Sequence, residues 1–522
     1  MSDEKFRQTI EEGYTFKGKS IDLGAAMLNG QPIEKLLVKA PLRTFNRHGL
    51  IAGATGTGKT KTLQHLAETL SSNGVSVVLM DIKGDLSGIA VPGTESDMIK
   101  DRSAKIGIEF KAHDNPVEFL TLSNEKGARL RATVSEFGPV LFSKILELNE
   151  TQQSVVALLF KYCDDNKLPL LDLKDFKKVL NFATAEGAEE IEKTYGKVSS
   201  ATTATILRKI IELEQQGGEK FFGEKSFEVD DLIRFDDKGR GLISIVRLTD
   251  IQDKPKLFST FMLCMLAEIY STFPEEGDSD QPKLVIFIDE AHLIFDEASS
   301  ALLDQIETII KLIRSKGVGI FFCTQNPADI PDSVLAQLGM KVQHALRAFT
   351  AKDRKSIKLA AENYPETEFY KVEEHLTALG IGEAFVTVLN EKGIPTPLAA
   401  TMMAPPCSRM DVLTPAEIEG ITGSSKIVKK YNEEIDRESA FEILNAKLNA
   451  AAANGPAAAT GNTGGASNTI TPEKSTLEKA GDFISDVAGS TAGKIVMREV
   501  TRGILGVLGL GGRSTTRRKS IF

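Results

Sequence analysis

The sequence contains no tryptophan, and aromatic residues make up only 7% of its 522 residues. Proteins that grip single-stranded nucleic acid interleave aromatic with basic side chains, and no stretch of this chain shows that pattern. Acidic residues outnumber basic ones by 72 to 63, so the formal net charge is −9. The chain therefore has no overall basic signature of nucleic-acid binding, although a protein can confine its basic groups to a pore.

Cysteines are few and dispersed: Cys163, Cys264, Cys323 and Cys407. Their spacing fits neither a metal-ligand pattern nor a disulfide framework, so we expect free thiols in a reducing compartment. The first residues lack the apolar core of a signal peptide, and no unbroken apolar run reaches the ~18 residues of a membrane span. These absences predict a cytoplasmic protein without a membrane span.

The most informative segment that is present runs from Gly53 to Thr60. It matches the phosphate-binding loop, in which four free positions separate two glycines and a lysine and a hydroxyl residue follow. Such glycines let the backbone aim N–H groups at phosphate oxygens, while Lys59 would meet the β- and γ-phosphates and Thr60 would ligate Mg²⁺. The alternative is a glycine-rich turn that happens to precede a lysine.

The flanking sequence favours the phosphate-binding loop, because a short apolar strand precedes it and leucines at helical spacing follow it. We therefore predict a site for ATP and Mg²⁺. The residues predicted to contact the nucleotide are Gly53, Ala54, Thr55, Gly56, Thr57, Gly58, Lys59, Thr60 and Lys61.

A second motif follows the apolar run from Leu284 to Ile288, where Asp289 and Glu290 stand side by side. In a nucleotide hydrolase Asp289 would hold Mg²⁺, and Glu290 would be the general base that polarises the attacking water. A buried strand that merely ends in two solvated acids is the alternative. Together with the loop, the pair favours ATP hydrolysis over nucleotide sensing, and water over the hydroxyl substrate of a kinase.

Two further motifs follow apolar strands. Gln325 ends the run that begins at Val318, and its amide both donates and accepts, so it suits a contact with γ-phosphate and water. A glutamine that only caps the strand is the alternative. Asp81 and Asp85 follow the run at 75–80 and would support the metal or the loop geometry, unless they form a simple turn.

Alternating apolar strands and helical segments predict an α/β fold with a mainly parallel sheet. A late hairpin is predicted from Gly382 to Ile394. The predicted segments are a small N-terminal cap (1–45), the first part of the core (46–135), a mainly helical insertion (136–238), the second part of the core (239–420), a helix with a disordered Ala/Gly-rich linker (421–474), and an amphipathic helix with a basic tail (475–522).

The C-terminal segments leave several functions open. The linker itself, from Leu448 to about Pro472, is rich in alanine, glycine, asparagine and threonine and is predicted to be disordered. The part beyond Ser475 combines apolar residues at helical spacing with a basic run. It is a solvated tail, a docking helix for a neighbouring subunit, or a contact with a nucleic acid or membrane surface.

Taken together, the motifs resemble those of the bacterial HerA-like (YjgR-type) helicase family, in the HerA/FtsK branch of the RecA-like P-loop ATPases. The resemblance covers roughly residues 10–420 and the C-terminal end more weakly. It implies a RecA-like P-loop NTPase core with a mainly parallel sheet, a helical insertion and a flexible C-terminal extension. The segments that carry it are Gly53–Thr60, Asp81–Asp85, Ile288–His292, Arg314–Gly319, Thr324–Pro327 and Pro405–Met410.

The resemblance also implies a function: a motor ATPase assembled as a hexameric ring, with ATP at subunit interfaces and double-stranded DNA in the central pore. In this branch an arginine from a neighbouring subunit completes the site. Arg314 and Arg347 are the candidates, and a surface ion pair is the alternative for each. A DNA helicase or translocase is therefore expected. The alternative is an ATP-dependent regulatory or scaffold protein that acts on protein partners, with the C-terminal segment as a contact.

Overall fold

The computed structural model describes residues 3–453 except 278, 296–299, 434 and 436. The predicted amphipathic helix and basic tail at 475–522, and the predicted linker from 454 onward, lie outside the described residues. None of the helices within the described part of the chain is long and apolar enough to cross a membrane.

One twelve-stranded sheet forms the centre of the described chain. Its strands are β1 (Ser20–Leu28), β2 (Gln31–Pro41), β3 (Gly49–Ala52), β4 (Ser76–Asp81), β5 (Val117–Thr121), β6 (Ala128–Arg129), β7 (Ile243–Arg247), β8 (Leu284–Ile288), β9 (Val318–Thr324), β10 (Met340–His344), β11 (Glu383–Thr387) and β12 (Ala399–Met403).

Helices connect most of these strands. They are α1 (Asp3–Gly13), α2 (Lys59–Ser72), α3 (Asp97–Ile106), α4 (Val134–Ile145), α5 (Glu150–Asp165), α6 (Leu173–Phe182), α7 (Ala188–Tyr195), α8 (Ser200–Gln215), α9 (Gly218–Phe221), α10 (Pro255–Thr272), α11 (His292–Phe295), α12 (Ser300–Ile313), α13 (Asp332–Leu335), α14 (Ala351–Glu362), α15 (Val372–Ala378), α16 (Pro415–Ser424), α17 (Lys426–Asn432) and α18 (Ala440–Ala453).

The strand order is β2-β1-β12-β11-β10-β3-β9-β8-β4-β7-β5-β6. All pairs from β10 to β6 are parallel, whereas the pairs from β2 to β10 are antiparallel. Every residue of β3, β4, β8 and β9 is buried, as expected for strands of a parallel sheet covered on both faces. The predicted α/β class, with a mainly parallel sheet, is confirmed.

The first 45 residues extend this sheet. β1 pairs with β12, where Ala25 lies opposite Met402, and β2 pairs with β1 at the edge. The late hairpin has its turn at 390–393, where Gly393 N donates to Asn390 O at 2.9 Å. Its second strand, β12, lies farther along the chain than the predicted end at Ile394.

The predicted helical insertion is present as α4 to α8. Residues 133–211 form a unit of their own together with the described residues after 436. Capping boxes begin α4, α5 and α6, at Thr133, Asn149 and Asp172, so each helix start satisfies its own free N–H groups. Phe142 and Phe176 pack edge to face at 4.9 Å between ring centroids. The domain boundaries given above stay a prediction.

Helix α18 belongs to the same unit. Phe441 N donates to Asp175 Oδ1 at 2.9 Å, and Ser439 donates to the same oxygen. The helix continues to Ala453, so the linker does not begin at Leu448 as predicted. The reason is local, because the run of alanines that reads as low complexity also has the highest helix propensity of any residue type.

A buried histidine joins the core of the large sheet to α12. His48 Nε2 donates to Ile310 O at 2.9 Å, and Ile320 N donates to His48 Nδ1 at 3.0 Å. Burial lowers the pKa of His48 to about 4, although the hydrogen bond to Ile310 opposes the shift, and the charge of Arg314 lowers it further. The folded protein therefore holds a neutral imidazole between β3 and β9.

We expect this histidine to make stability depend on pH. Between pH 6.5 and about pH 4 the imidazole is protonated in the unfolded chain but neutral in the folded protein. The contribution of neutral His48 to the free energy of unfolding is therefore complete above pH 6.5 and is lost as the pH drops through this range, by up to about 3 kcal/mol. Urea unfolding of His48→Asn across the range should show a flatter pH dependence than wild type, whereas the control His113→Asn, at a partly exposed histidine, should not. Equal slopes for wild type and His48→Asn would contradict this assignment.

Candidate functional site

The loop between β3 and α2 is anchored to both neighbouring strands. Gly53 N donates to Thr324 O at the end of β9 at 3.2 Å, and Ala54 N donates to Ala345 O beyond β10 at 2.8 Å. Gly53 has a φ of 152°, and a Cβ there would lie 2.6 Å from His344 Cβ. Only glycine therefore allows this approach of the loop to β10.

The loop turns directly into a helix. Gly58 precedes α2 with a φ of 112°, and a Cβ on it would lie 3.1 Å from the backbone of Gly382. Thr62 N donates to Gly58 O, which closes the first helical turn at 3.0 Å. The N–H groups of the first turn have no acceptor within the helix, so they and the positive end of the helix dipole suit an anion such as phosphate.

Lys59 is buried inside this loop. Its ammonium donates to Ala54 O at 3.1 Å, and the Thr57 hydroxyl donates to the same carbonyl at 2.7 Å. Burial lowers the pKa of Lys59, and the like charge of Lys83 lowers it further, while Glu290 and Asp289 oppose the shift. Lys59 is thus held within the loop by a hydrogen bond to a neutral carbonyl, which leaves its positive charge available to a phosphate.

The two acids after β8 are buried within reach of this lysine. Burial raises the pKa of Asp289 to about 6, and the charge of Glu290 adds to the effect while Lys83 opposes it. Glu290 has a φ of 48°, a left-handed conformation that non-glycine residues seldom adopt and that recurs at functional sites. His292 Nδ1 lies 3.3 Å from Glu290 Oε2. The turn after β8 therefore places both carboxylates near enough to Lys59 for their charges to act on it.

The segment after β4 is built around Asp81. Its carboxylate accepts hydrogen bonds from Gly84 N at 2.8 Å, Asp85 N at 3.1 Å and Leu86 N at 3.3 Å. Burial and the charge of Asp85 nevertheless raise the pKa of Asp81 to about 7. Asp81 therefore fixes the loop geometry. Asp85 instead faces the phosphate-binding loop, where Thr60 Oγ1 lies 3.4 Å from Asp85 Oδ2.

The oxygen atoms gathered here fit Mg²⁺. Asp85 Oδ1 and Asp289 Oδ2 are buried and have no hydrogen-bond partner among the described residues. Hydroxyl and carboxylate oxygens are the ligands that Mg²⁺ prefers, and the ion commonly uses one or two carboxylates together with phosphate. Thr60, Asp85 and Asp289 would hold it. Of these, Asp85 was predicted to support either the metal or the loop geometry, with a simple turn as the alternative.

Gln325 and the two arginines differ in placement. Thr55 Oγ1 lies 3.5 Å from Gln325 Oε1, so the glutamine meets the loop. Arg347 follows β10 and lies at the carboxyl ends of the parallel strands, as the phosphate-binding loop does. Arg314 precedes β9 and lies at their amino ends. Both arginines are exposed. The Lys61 side chain turns away from the loop, because its ammonium donates to Met410 O.

Lys83 is the group that the sequence interpretation left without a role. Its ammonium forms an ion pair with Glu290 Oε1. The signal was present, since Lys83 stands inside the Asp81–Asp85 motif. The motif does not show, however, that the lysine reaches the end of another strand.

The segment 405–410 is a second feature whose role emerges only in the structure. Glu68 on α2 is buried and accepts hydrogen bonds from Cys407 N at 2.6 Å and Ser408 N at 3.1 Å. Gln64, one turn earlier, donates to Arg409 O at 2.8 Å. The segment therefore secures the helix that carries Lys59 and Thr60.

Solved structures show partial similarity to the chain. A bacterial conjugative coupling protein, TrwB, superimposes with a TM-score of 0.49 at 15% identity, covering 78% of this chain and 94% of that one. VirB4 of Thermoanaerobacter pseudethanolicus gives a TM-score of 0.45 at 16% identity, covering 78% of this chain and 100% of that one.

Sequence relatives include two archaeal proteins of the same name. The DNA double-strand break repair helicase HerA of Saccharolobus solfataricus is 23% identical over 361 residues, which are 67% of this chain and 63% of that protein. The protein of the same name from Sulfolobus acidocaldarius is 20% identical over 400 residues, 76% of this chain and 70% of that one. The chain thus spans less than two thirds of the Saccharolobus protein.

The family profile described as "Helicase HerA-like C-terminal" matches residues 27–515. This range includes the phosphate-binding loop, both buried acids after β8 and the segment at 405–410. The predicted family resemblance is confirmed, and the chain belongs to the HerA-like C-terminal helicase family.

Proposed function

We propose that the protein is an ATPase that hydrolyses ATP at the loop between β3 and α2. The observation that carries the proposal is the pair of buried acids, Asp289 and Glu290, at the end of β8, one strand away from β9 and two from the phosphate-binding loop. Burial of two adjacent carboxylates is costly unless cations pair with them, so their retention here supports a role in binding or chemistry. A nucleotide that is only bound would not need a second acid beside the metal ligand.

The side chains have separate roles in the proposed reaction. Lys59 and the loop N–H groups bind the β- and γ-phosphates and offset the charge that develops on them. Glu290 accepts a proton from the attacking water, and Gln325 orients that water. Mg²⁺, held by Thr60, Asp85 and Asp289, would polarise the phosphate oxygens.

We further propose that the ATPase is a DNA helicase or translocase that works as a ring, with six subunits as the expected number. Membership of a helicase family supports this proposal. Arg314 is exposed and lies at the amino ends of the parallel strands, away from the phosphate-binding loop of its own subunit, so it suits a contact with the nucleotide of a neighbouring subunit. Such an arginine can raise the rate of hydrolysis by ~10³–10⁵. Arg347 lies on the same side as its own loop. In this proposal DNA is the polymer substrate, and other copies of the chain are the protein partners.

Removal of the loop lysine should abolish nucleotide binding. Lys59→Ala deletes the buried ammonium that meets the phosphates, and we expect ATP affinity to fall at least ~100-fold, since charge-assisted contacts to phosphate are strong. Isothermal titration calorimetry measures the change. Lys358→Ala, an exposed lysine of α14, is the matched control and should bind ATP as wild type does. Unchanged affinity in Lys59→Ala would contradict the assignment of the loop.

Loss of the general base should separate binding from hydrolysis. Glu290→Gln keeps the shape of the side chain but cannot accept the proton from water, so turnover should drop by ~10²–10⁴ while ATP binding persists. Phosphate release and nucleotide titration give the two quantities. Glu373→Gln, on the exposed face of α15, should leave both unchanged. Normal turnover in Glu290→Gln would rule out Glu290 as the base.

DNA stimulation distinguishes the motor from a regulatory ATPase that acts on protein partners. A protein that tracks phosphates releases counterions on binding, so stimulation of ATPase activity by double-stranded DNA should fall at least ~10-fold between about 50 and 200 mM salt. Turnover that is the same with and without DNA at every salt concentration would contradict the motor function. It would favour the regulatory or scaffold alternative.

A further inference from the structure

The ion pair between Lys83 and Glu290 joins two side chains that differ in their exposure to solvent. The Lys83 side chain is 41% exposed, whereas that of Glu290 is 6% exposed. Partial burial lowers the pKa of Lys83, but the hydrogen bond and charge of Glu290 more than offset this, so its pKa is raised overall. Lys83 is therefore a charged, partly exposed side chain that can change its conformation. It neutralises the carboxylate of Glu290, which is buried and confined.

The backbone that carries Lys83 is fixed on both sides. Asp81 accepts three N–H groups of the segment, as described above, and Gln252 Nε2 donates to Ile82 O at 2.6 Å. Gly84 has a φ of 78°, which sets the turn directly after the lysine. Any displacement of the ammonium must therefore come from rotation of the lysine side chain.

The same segment faces the phosphate-binding loop. Two residues beyond Lys83, Asp85 approaches the Thr60 hydroxyl at 3.4 Å. The charge of Lys83 also acts on Lys59, whose pKa it lowers. Two lysines from different strand ends therefore share one buried group of carboxylates, and the charge of one acts on the other.

We propose that Lys83 is a second cation for the γ-phosphate and that its ion pair with Glu290 holds it in reserve until a nucleoside triphosphate binds. This inference rests on the proposed nucleotide site. The γ-phosphate is the charged group that a triphosphate has and a diphosphate lacks, and in this proposal it competes with Glu290 for the ammonium. Once Lys83 turns to it, Glu290 loses its cation and is free to accept the proton of the attacking water. A diphosphate brings no such group, so the ion pair persists.

The proposal predicts discrimination between tri- and diphosphate. Lys83→Met removes the charge but keeps much of the aliphatic length. Its dissociation constant for ATPγS should rise about 10-fold, as loss of one charge-assisted contact implies, while that for ADP stays within about 2-fold. Lys83→Arg should restore most of the ATPγS affinity. Unchanged ADP affinity also shows that the variant is folded, and Lys358→Ala is again the control.

A double-mutant cycle tests the reserve function of Glu290 itself. In Glu290→Gln the amide holds the Lys83 ammonium less strongly than the carboxylate does. Because less free energy is needed to break this pair, ATPγS should bind ~3-fold more tightly than in wild type. In Lys83→Met/Glu290→Gln this gain should vanish. A Glu290→Gln gain that persists without Lys83, or a Lys83→Met loss that is equal for ATPγS and ADP, would overturn the proposal.

The outcomes separate this proposal from the function on which it rests. Wild-type protein that prefers ATPγS through Lys83 but never hydrolyses ATP would contradict the proposed ATPase and leave the role of Lys83 standing. Wild-type protein that hydrolyses ATP, with a ratio of ATPγS to ADP affinity that does not change in Lys83→Met, would overturn the role of Lys83 alone.

Discussion

Parallel pairing of β3, β9, β8 and β4 brings four strand ends to one edge of the sheet, and the groups of the candidate site lie just beyond those ends. The phosphate-binding loop follows β3, Gln325 follows β9, the acids follow β8, and Lys83 follows β4. Because the strands are wholly buried, their register is fixed by packing on both faces. The geometry of the site is therefore a consequence of the core.

Charge balance is the second constraint on the site. Asp81, Asp289 and Glu290 are buried together, and burial raises the pKa of the first two well above the usual range. Backbone N–H groups compensate Asp81, and Lys83 compensates Glu290. Asp289 keeps a buried oxygen without a partner among the described residues. The structure thus stabilises Asp81 and Glu290 by different means, whereas the Asp289 oxygen, like Asp85 Oδ1, is left suited to a cation.

Local patterns made much of this predictable. The loop at 53–60 and the strand at 284–288 are continuous in sequence, so their spacing alone indicates their conformation and chemistry. The Lys83–Glu290 pair joins residues 207 positions apart, and no local pattern shows that β4 lies next to β8. The pairing of β1 with β12, which adds the first strands of the chain to the sheet, was missed for the same reason. The roles of Arg314 and Arg347 stay predictions, because they depend on a second subunit.

The central claim is that the groups beyond these four strand ends form one ATP site. A cryo-electron microscopy structure of Glu290→Gln with ATP and Mg²⁺ tests it most directly. The account predicts the β- and γ-phosphates against the N–H groups of residues 53–61 and the ammonium of Lys59, with the metal between Thr60 and Asp289. Nucleotide bound elsewhere, or phosphates out of contact with Lys59, would contradict it.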